Sequence, residues 1–274
     1  MNIAIIGCGY VGCAVAQLWQ QKTNFMITAT TTTPERVPTL QTLAHKVVVI
    51  QGHNREGLKS VLQNQNVVLL SLGAKGVNVY AETYLKTAEN LVNLLPDIPT
   101  IKQIIYTGSY SVYGDHNGGW VDEQTPLRPT HERGKILQAT EDVLLAASTD
   151  QLRVCIFRLG GIYGPNRELI KIFSRLPGTT RPGNGEDVTN WVHLDDIVGA
   201  IEFARQHYLE GIYNLVDDAY LTSRELLSRL FKKHDLPKVK WDNTATSNRP
   251  YNAKVSNRKI KEAGYKLTHT HIIF

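Results

Sequence analysis

The sequence predicts an α/β fold: a doubly wound, mostly parallel seven-stranded sheet with a small C-terminal lobe. Three observations point there. Short apolar runs alternate with stretches of helical periodicity; helical segments separate most successive runs; and after residue 218 the pattern turns helix-rich and basic.

The first run, Asn2–Ile6, reads as a buried strand, and Val11, Ala14, Val15 and Leu18 then mark one face of a helix. Further strands are expected at residues 25–28, 46–51, 67–72, 103–107, 153–158 and 212–216. Helices are expected at 80–95, 131–147 and 195–207, and right-handed crossovers place helices on both sheet faces. In the basic tail, 223–233 and 256–263 read as helices. Two stretches, 115–129 and 178–186, are rich in glycine, proline and polar residues and read as long loops of the kind that carry function.

Composition excludes several classes. At 274 residues, 42% hydrophobic and 20% charged, the chain has the make-up of an ordinary globular protein. Cys8, Cys13 and Cys155 cannot all pair and lack zinc-finger or CxxC spacing, so a reducing, cytoplasmic setting is expected. The apolar start is broken by three glycines and Gln17 and has no basic residue before Lys22, so it reads as strand and helix rather than a secretory signal. No stretch reaches the ~18 apolar residues of a membrane span. Residues 219–274 hold twelve Lys/Arg against four Asp/Glu, a charge of +8 that leaves −3 for the first 218 residues. That tail suits a solvated surface or an anionic ligand; without an aromatic platform or reader motif, nucleic acid is not expected.

Gly7, Cys8, Gly9, Tyr10, Val11 and Gly12 spell GxGxxG between the first strand and the first helix. The first glycine permits the turn, the second lets backbone approach a pyrophosphate, and the third lets helix and strand pack closely. A dinucleotide is therefore the expected ligand. At the end of the second strand, where an acid would select NAD, stand Thr30, Thr31 and Thr32, with Arg36 nearby. Their hydroxyls and guanidinium favour a 2′-phosphate, so NADP is expected, with NAD as the alternative.

Residues 106–114 (YTGSYSVYG) resemble the strand-end motif of extended short-chain dehydrogenases/reductases, the sugar-nucleotide epimerase/dehydratase group. Glu123, Pro126 and Pro129 are similar to its E-x-x-P-x-x-P loop, 158–165 (RLGGIYGP) to its RPxNVYGP segment, and 191–197 (WVHLDDI) to its FVHVDDV helix start. Residues 255–260 are similar to its C-terminal helix. The resemblance implies a Rossmann-type domain, 1–165 completed by 187–218, and a basic substrate lobe from 166–186 and 219–274. It further implies a Ser/Tyr/Lys mechanism on a small anionic substrate, with Ser109 as serine and Lys135 as lysine, the latter also holding the nicotinamide ribose. Leu72, Gly73, Ala74, Thr107 and Leu159 complete the implied cofactor set. A homodimer through helices 80–95 and 131–147 is also implied.

Two departures mark this chain. His131 stands where the tyrosine belongs, four residues before Lys135, and the opening is GxGxxG rather than TGxxGxxG. Both resemble the atypical subgroup, in which the cofactor fold survives while catalytic residues are often lost. His131 is a candidate acid/base because imidazole titrates near neutrality. Its shorter reach leaves a plain helix-start residue or a substrate contact as alternatives. Tyr110, Tyr113, Trp120 and Tyr163 are the candidate substrate contacts, the tyrosines also standing in for the missing one. Of nine histidines only His269 and His271 are close in sequence, with no third ligand nearby, so no metal is expected. Asp195 and Asp196 read as helix-start acids, and Cys8 and Cys13 as small packing residues. Sequence alone leaves two functions standing: an oxidoreductase of epimerase/dehydratase type, or a silent dinucleotide-binding sensor or scaffold.

Overall fold

The computed structural model describes residues 1–22, 24–74, 76 and 79–274. In chain order its strands are β1 (Asn2–Ile6), β2 (Met26–Thr31), β3 (Lys46–Val49), β4 (Val67–Leu70), β5 (Gln103–Ser109), β6 (Asp115–Val121) and β7 (Arg153–Leu159). They continue with β8 (Gly161–Tyr163), β9 (Thr180–Pro182), β10 (Trp191–His193), β11 (Gly211–Leu215), β12 (Lys240–Asp242) and β13 (Asn252–Val255). The helices are α1 (Tyr10–Lys22), α2 (Val37–Gln41), α3 (Arg55–Leu62), α4 (Thr87–Leu94), α5 (Glu132–Leu145), α6 (Leu169–Ile172), α7 (Leu194–His207), α8 (Ser223–Lys233) and α9 (Arg258–Glu262).

The main sheet has seven strands in the order β11-β7-β5-β4-β1-β2-β3. Registers such as Ile3↔Ile27 and Ile3↔Val67 run parallel. The order reverses direction at β1 and β4, and such a switch point opens a crevice at the carboxyl ends of the strands. Burial explains the apolar runs: Ile3, Ile5, Val68, Leu69 and Leu70 are fully covered, as strands with both faces packed must be. The second strand runs three residues past its expected end, because β-branched Thr28, Thr30 and Thr31 suit a pleated surface.

By contacts the chain divides into two compact units. The first comprises 1–108, 132–158 and 198–213; the second comprises 109–131, 159–197 and 214–274. The first holds nearly all of the main sheet. The second holds three two-stranded parallel pairs, β6 with β13, β8 with β10, and β9 with β12.

The two stretches expected as loops therefore contain strands, β6 and β9. Neither alternates apolar with polar residues, and each takes its partner from far along the chain, so no local pattern announced them. In the same unit α8 matches its expected bounds, because Thr222 and Glu225 form a reciprocal capping box that marks its start. Leu226, Leu227, Leu230 and Phe231 of α8 pack a core with Tyr163, Leu169, Leu221 and Ile272. No helix among the described residues is long and apolar enough to cross a membrane.

Candidate active site

In the first unit the glycine loop follows β1 directly. Gly7 has φ +86°, and a Cβ there would lie 2.5 Å from the Ser71 carbonyl oxygen, so only glycine fits. A Cβ on Gly12 would lie 2.9 Å from the Gly7 oxygen, which keeps that position small where α1 meets the loop. Gly9 differs: its Cβ would meet only the Gly7 oxygen, at 4.0 Å. Nothing in the fold requires glycine at 9. The open space above it is what a pyrophosphate would fill at the start of α1, and the loop fits a dinucleotide on that ground. Tyr10 and Val11 open the helix, Val11 buried beneath it.

Two of the three threonines expected to grip a 2′-phosphate are engaged within the fold; Thr32 is exposed. Thr30 is 2% exposed, and its hydroxyl accepts the Gly7 N–H at 2.9 Å while its carbonyl accepts the Cys8 N–H. The Thr31 hydroxyl accepts the Thr33 N–H at 3.1 Å and turns the chain out of β2. Both residues brace the loop. Arg36, half-buried beside α1, donates from Nη2 to Cys13 Sγ at 3.2 Å. That thiol faces Cys8 Sγ at 3.8 Å; a hydrogen bond from Cys8, with Arg36 adding to it, holds Cys13 down at about 6, and Cys8 is raised.

At the ends of β4 and β5, Leu72 accepts the Tyr84 hydroxyl on its carbonyl, and the Thr107 hydroxyl donates to the Leu70 carbonyl at 3.3 Å. Gly73 is exposed and would carry a Cβ freely; Ala74 beside it is half-buried. Lys135 is exposed one turn into α5.

The second unit contains a cavity of about 370 Å³ whose lining includes Ser109, Tyr110, Arg181, Asn190, Arg249 and Tyr251. Ser109 ends β5 and caps the short turn after it: its hydroxyl accepts the Ser111 N–H at 3.2 Å and donates to Ser111 Oγ at 3.0 Å. Arg249 donates to the Val188 carbonyl at 2.9 Å, to Ser223 Oγ at 3.3 Å and to the Tyr110 hydroxyl at 3.1 Å. Those partners are neutral, so the cavity keeps the guanidinium's charge. Asn190 binds the Ala253 carbonyl and the Val255 N–H and fixes β13 beneath it. The Tyr251 ring stands 5.2 Å from that of Tyr110 and 6.5 Å from that of half-buried His131.

The candidate tyrosines separate clearly. Tyr110 lines the cavity, but burial pushes its hydroxyl up to about 12 despite Arg249. Tyr113 does not line this cavity: it is fully buried, and its hydroxyl donates to Asn214 Oδ1 at 2.8 Å. Tyr163 lies in a different cavity of about 270 Å³, accepts the Ile273 N–H and is also pushed by burial to about 12. Trp120 does not line the Ser109 cavity either; it is 59% exposed on β6, with its ring 4.6 Å from that of Tyr220. Leu159 is buried at the end of β7. Arg181, Arg249 and Tyr251 belong to no motif, and only the surplus of basic residues in the tail hinted at Arg249.

The model of the NAD dependent epimerase/dehydratase family matches residues 3–215. Protein YeeZ of Escherichia coli K12 is 31% identical over 226 residues, covering 80% of this chain and 78% of that protein. Among solved structures, dTDP-glucose 4,6-dehydratase of Bacillus anthracis, in complex with NAD, superposes with a TM-score of 0.81 at 21% identity over 98% of this chain and 92% of that one. UDP-glucose 4-epimerase of Thermotoga maritima, with UDP-glucose, gives a TM-score of 0.83 at 18% identity over 98% and 94%.

Proposed function

The chain belongs to the NAD dependent epimerase/dehydratase family, and from that premise we propose that it is an NADP(H)-dependent oxidoreductase of epimerase/dehydratase type. Its substrate is a small anion of the sugar-nucleotide class. One observation carries the substrate reading: the Ser109 cavity presents Arg249, whose hydrogen-bond partners among the described residues are neutral, with Arg181 in its wall. A half-buried guanidinium of that kind favours an anionic group such as a diphosphate. The bound nucleotide supplies hydride chemistry. Ser109 orients the reacting oxygen, His131 exchanges its proton, and Lys135 holds the nicotinamide ribose. Two features support the choice of NADP: threonines in place of the acid that selects NAD, and the cation of Arg36 nearby beside α1.

The purified protein is incubated with UDP- and dTDP-linked hexoses and either nucleotide, with product followed by NMR. Turnover of at least one substrate is expected, falling roughly 100-fold in Ser109→Ala and in His131→Phe. Fluorescence titration should show NADPH binding tighter than NADH, and Arg36→Ala should erase the difference. Equal or tighter NADH binding by the parent protein removes the NADP preference. His131 in the tyrosine's place supports a second reading, a silent dinucleotide-binding sensor or scaffold. Tight nucleotide binding without turnover across the whole panel would select it.

A further inference from the structure

We infer that His193, Asp195 and His269 form a site for a zinc ion that fastens the C-terminal segment to the start of α7. The residues lie 76 positions apart in sequence at their extremes, yet one ligand atom from each falls within 4.8 Å of the others. Asp195 Oδ2 is 3.4 Å from His193 Nδ1 and 3.2 Å from His269 Nε2. For bonds of ~2.0–2.2 Å in a tetrahedron, ligand atoms stand roughly 3.3–3.5 Å apart, so two edges are already at coordination spacing.

The lone pair of His193 Nδ1 accepts the Asp195 backbone N–H at 3.2 Å, while Asp195 Oδ2 lies 3.4 Å from the same nitrogen and 3.2 Å from His269 Nε2. Zinc at Nδ1 would take the place of that N–H contact and gather the carboxylate oxygen and both imidazoles onto one cation. Imidazole nitrogens with one carboxylate are a donor set that suits zinc.

The third ligand is delivered by a separate, buried device. Asp196 is fully buried, and its carboxylate accepts the N–H groups of Thr268 and His269, the latter at 3.0 Å. The Tyr265 hydroxyl donates to the Asp196 carbonyl at 2.9 Å. The backbone of the tail is thus held at the helix start whatever the side chain at 269, and the imidazole is aimed at Asp195. Asp195 is 60% exposed, which leaves the remaining coordination position to water. His193 itself is 9% exposed, packed against Tyr163 with ring centroids 5.1 Å apart, and so is held in one orientation. Zinc bound here ties the last ten residues to α7.

The test is isothermal titration of the full-length, chelator-treated protein with zinc chloride, alongside thermal melts at rising zinc. The expected result is one zinc per chain and a melting temperature that climbs with zinc concentration. Affinity should fall at least tenfold in His269→Ala and in Asp195→Asn, and should stay within twofold in His271→Ala and Cys13→Ser. Because Asp196 grips backbone only, His269→Ala is expected to fold, and its melting temperature without zinc should match the parent's. Absence of binding at 100 µM zinc, or binding that survives His269→Ala but is lost in Cys13→Ser, overturns the proposal.

Discussion

Glu141 of α5 and Arg158 of β7 form a two-pronged ion pair, with Nη2 and Nε of the arginine 2.7 Å and 3.0 Å from Glu141 Oε2. Their side chains are 1% and 3% exposed. Burial raises the Glu141 carboxyl and the arginine opposes it, so desolvation outweighs the attraction. Removing one partner strands a buried charge. Glu141→Ala is expected to cost about 3–5 kcal/mol in urea unfolding, and Glu141→Leu with Arg158→Met to cost less than half the sum of the single changes. Additive losses would show that the pair is not coupled.

Asp217 predicts a pH dependence of stability. It is 2% exposed, its Oδ1 accepts the Ala219 N–H, and among the described residues no hydrogen-bond partner reaches its Oδ2. Burial pushes its carboxyl up to about 8. The folded state therefore holds its proton more tightly than the unfolded chain, whose value is near 4. The stability this provides is complete below pH 4 and declines as pH rises to 8, by on the order of 5 kcal/mol. Asp217→Asn should flatten that decline and melt higher than the parent at pH 8. A parallel decline in the variant would assign the effect elsewhere.

Cys13 should react as a thiolate at unusually low pH. With the Cys8 hydrogen bond and Arg36 holding it at about 6, alkylation by iodoacetamide should reach half its maximal rate near that pH. Cys8→Ala is expected to move the midpoint up toward the ordinary thiol value of ~8.5, and Arg36→Gln to move it in the same direction. Peptide mapping identifies the alkylated residue. A parent midpoint at the ordinary value would mean that the thiol pair does not interact in solution.

The glycine loop separates folding from binding. Gly9→Ala meets only one atom, 4.0 Å away, so its melting temperature should match the parent's while nucleotide affinity falls at least tenfold. Gly7→Ala must strain a φ of +86° and displace the Ser71 carbonyl, costing about 1–3 kcal/mol. Unchanged nucleotide binding in Gly9→Ala would move the phosphates away from this loop.

The seven-stranded sheet was legible because a strand buried on both faces must be apolar throughout, as Val67–Leu70 is, and because a phosphate-binding turn demands glycines at fixed offsets. The capping box at Thr222 and Glu225 was equally local, and α8 starts where its residues say. Strands β6 and β13 were hidden, since Asp115–Val121 has polar and glycine residues and its partner begins at Asn252. Thr30 read as a ligand contact because a hydroxyl at a strand end looks alike whether it faces a phosphate or, as here, the N–H of Gly7.

Sequence by itself determined the sheet and the glycine loop after its first strand, which depend on neighbours within a few residues. Only the tertiary structure decided which tyrosine lines a cavity and which lies in the core. It alone brought Arg249 to Tyr110 and set His269 beside His193. Those pairings join side chains 139 and 76 positions apart, and packing and hydrogen bonding between distant segments, which no local pattern encodes, select them.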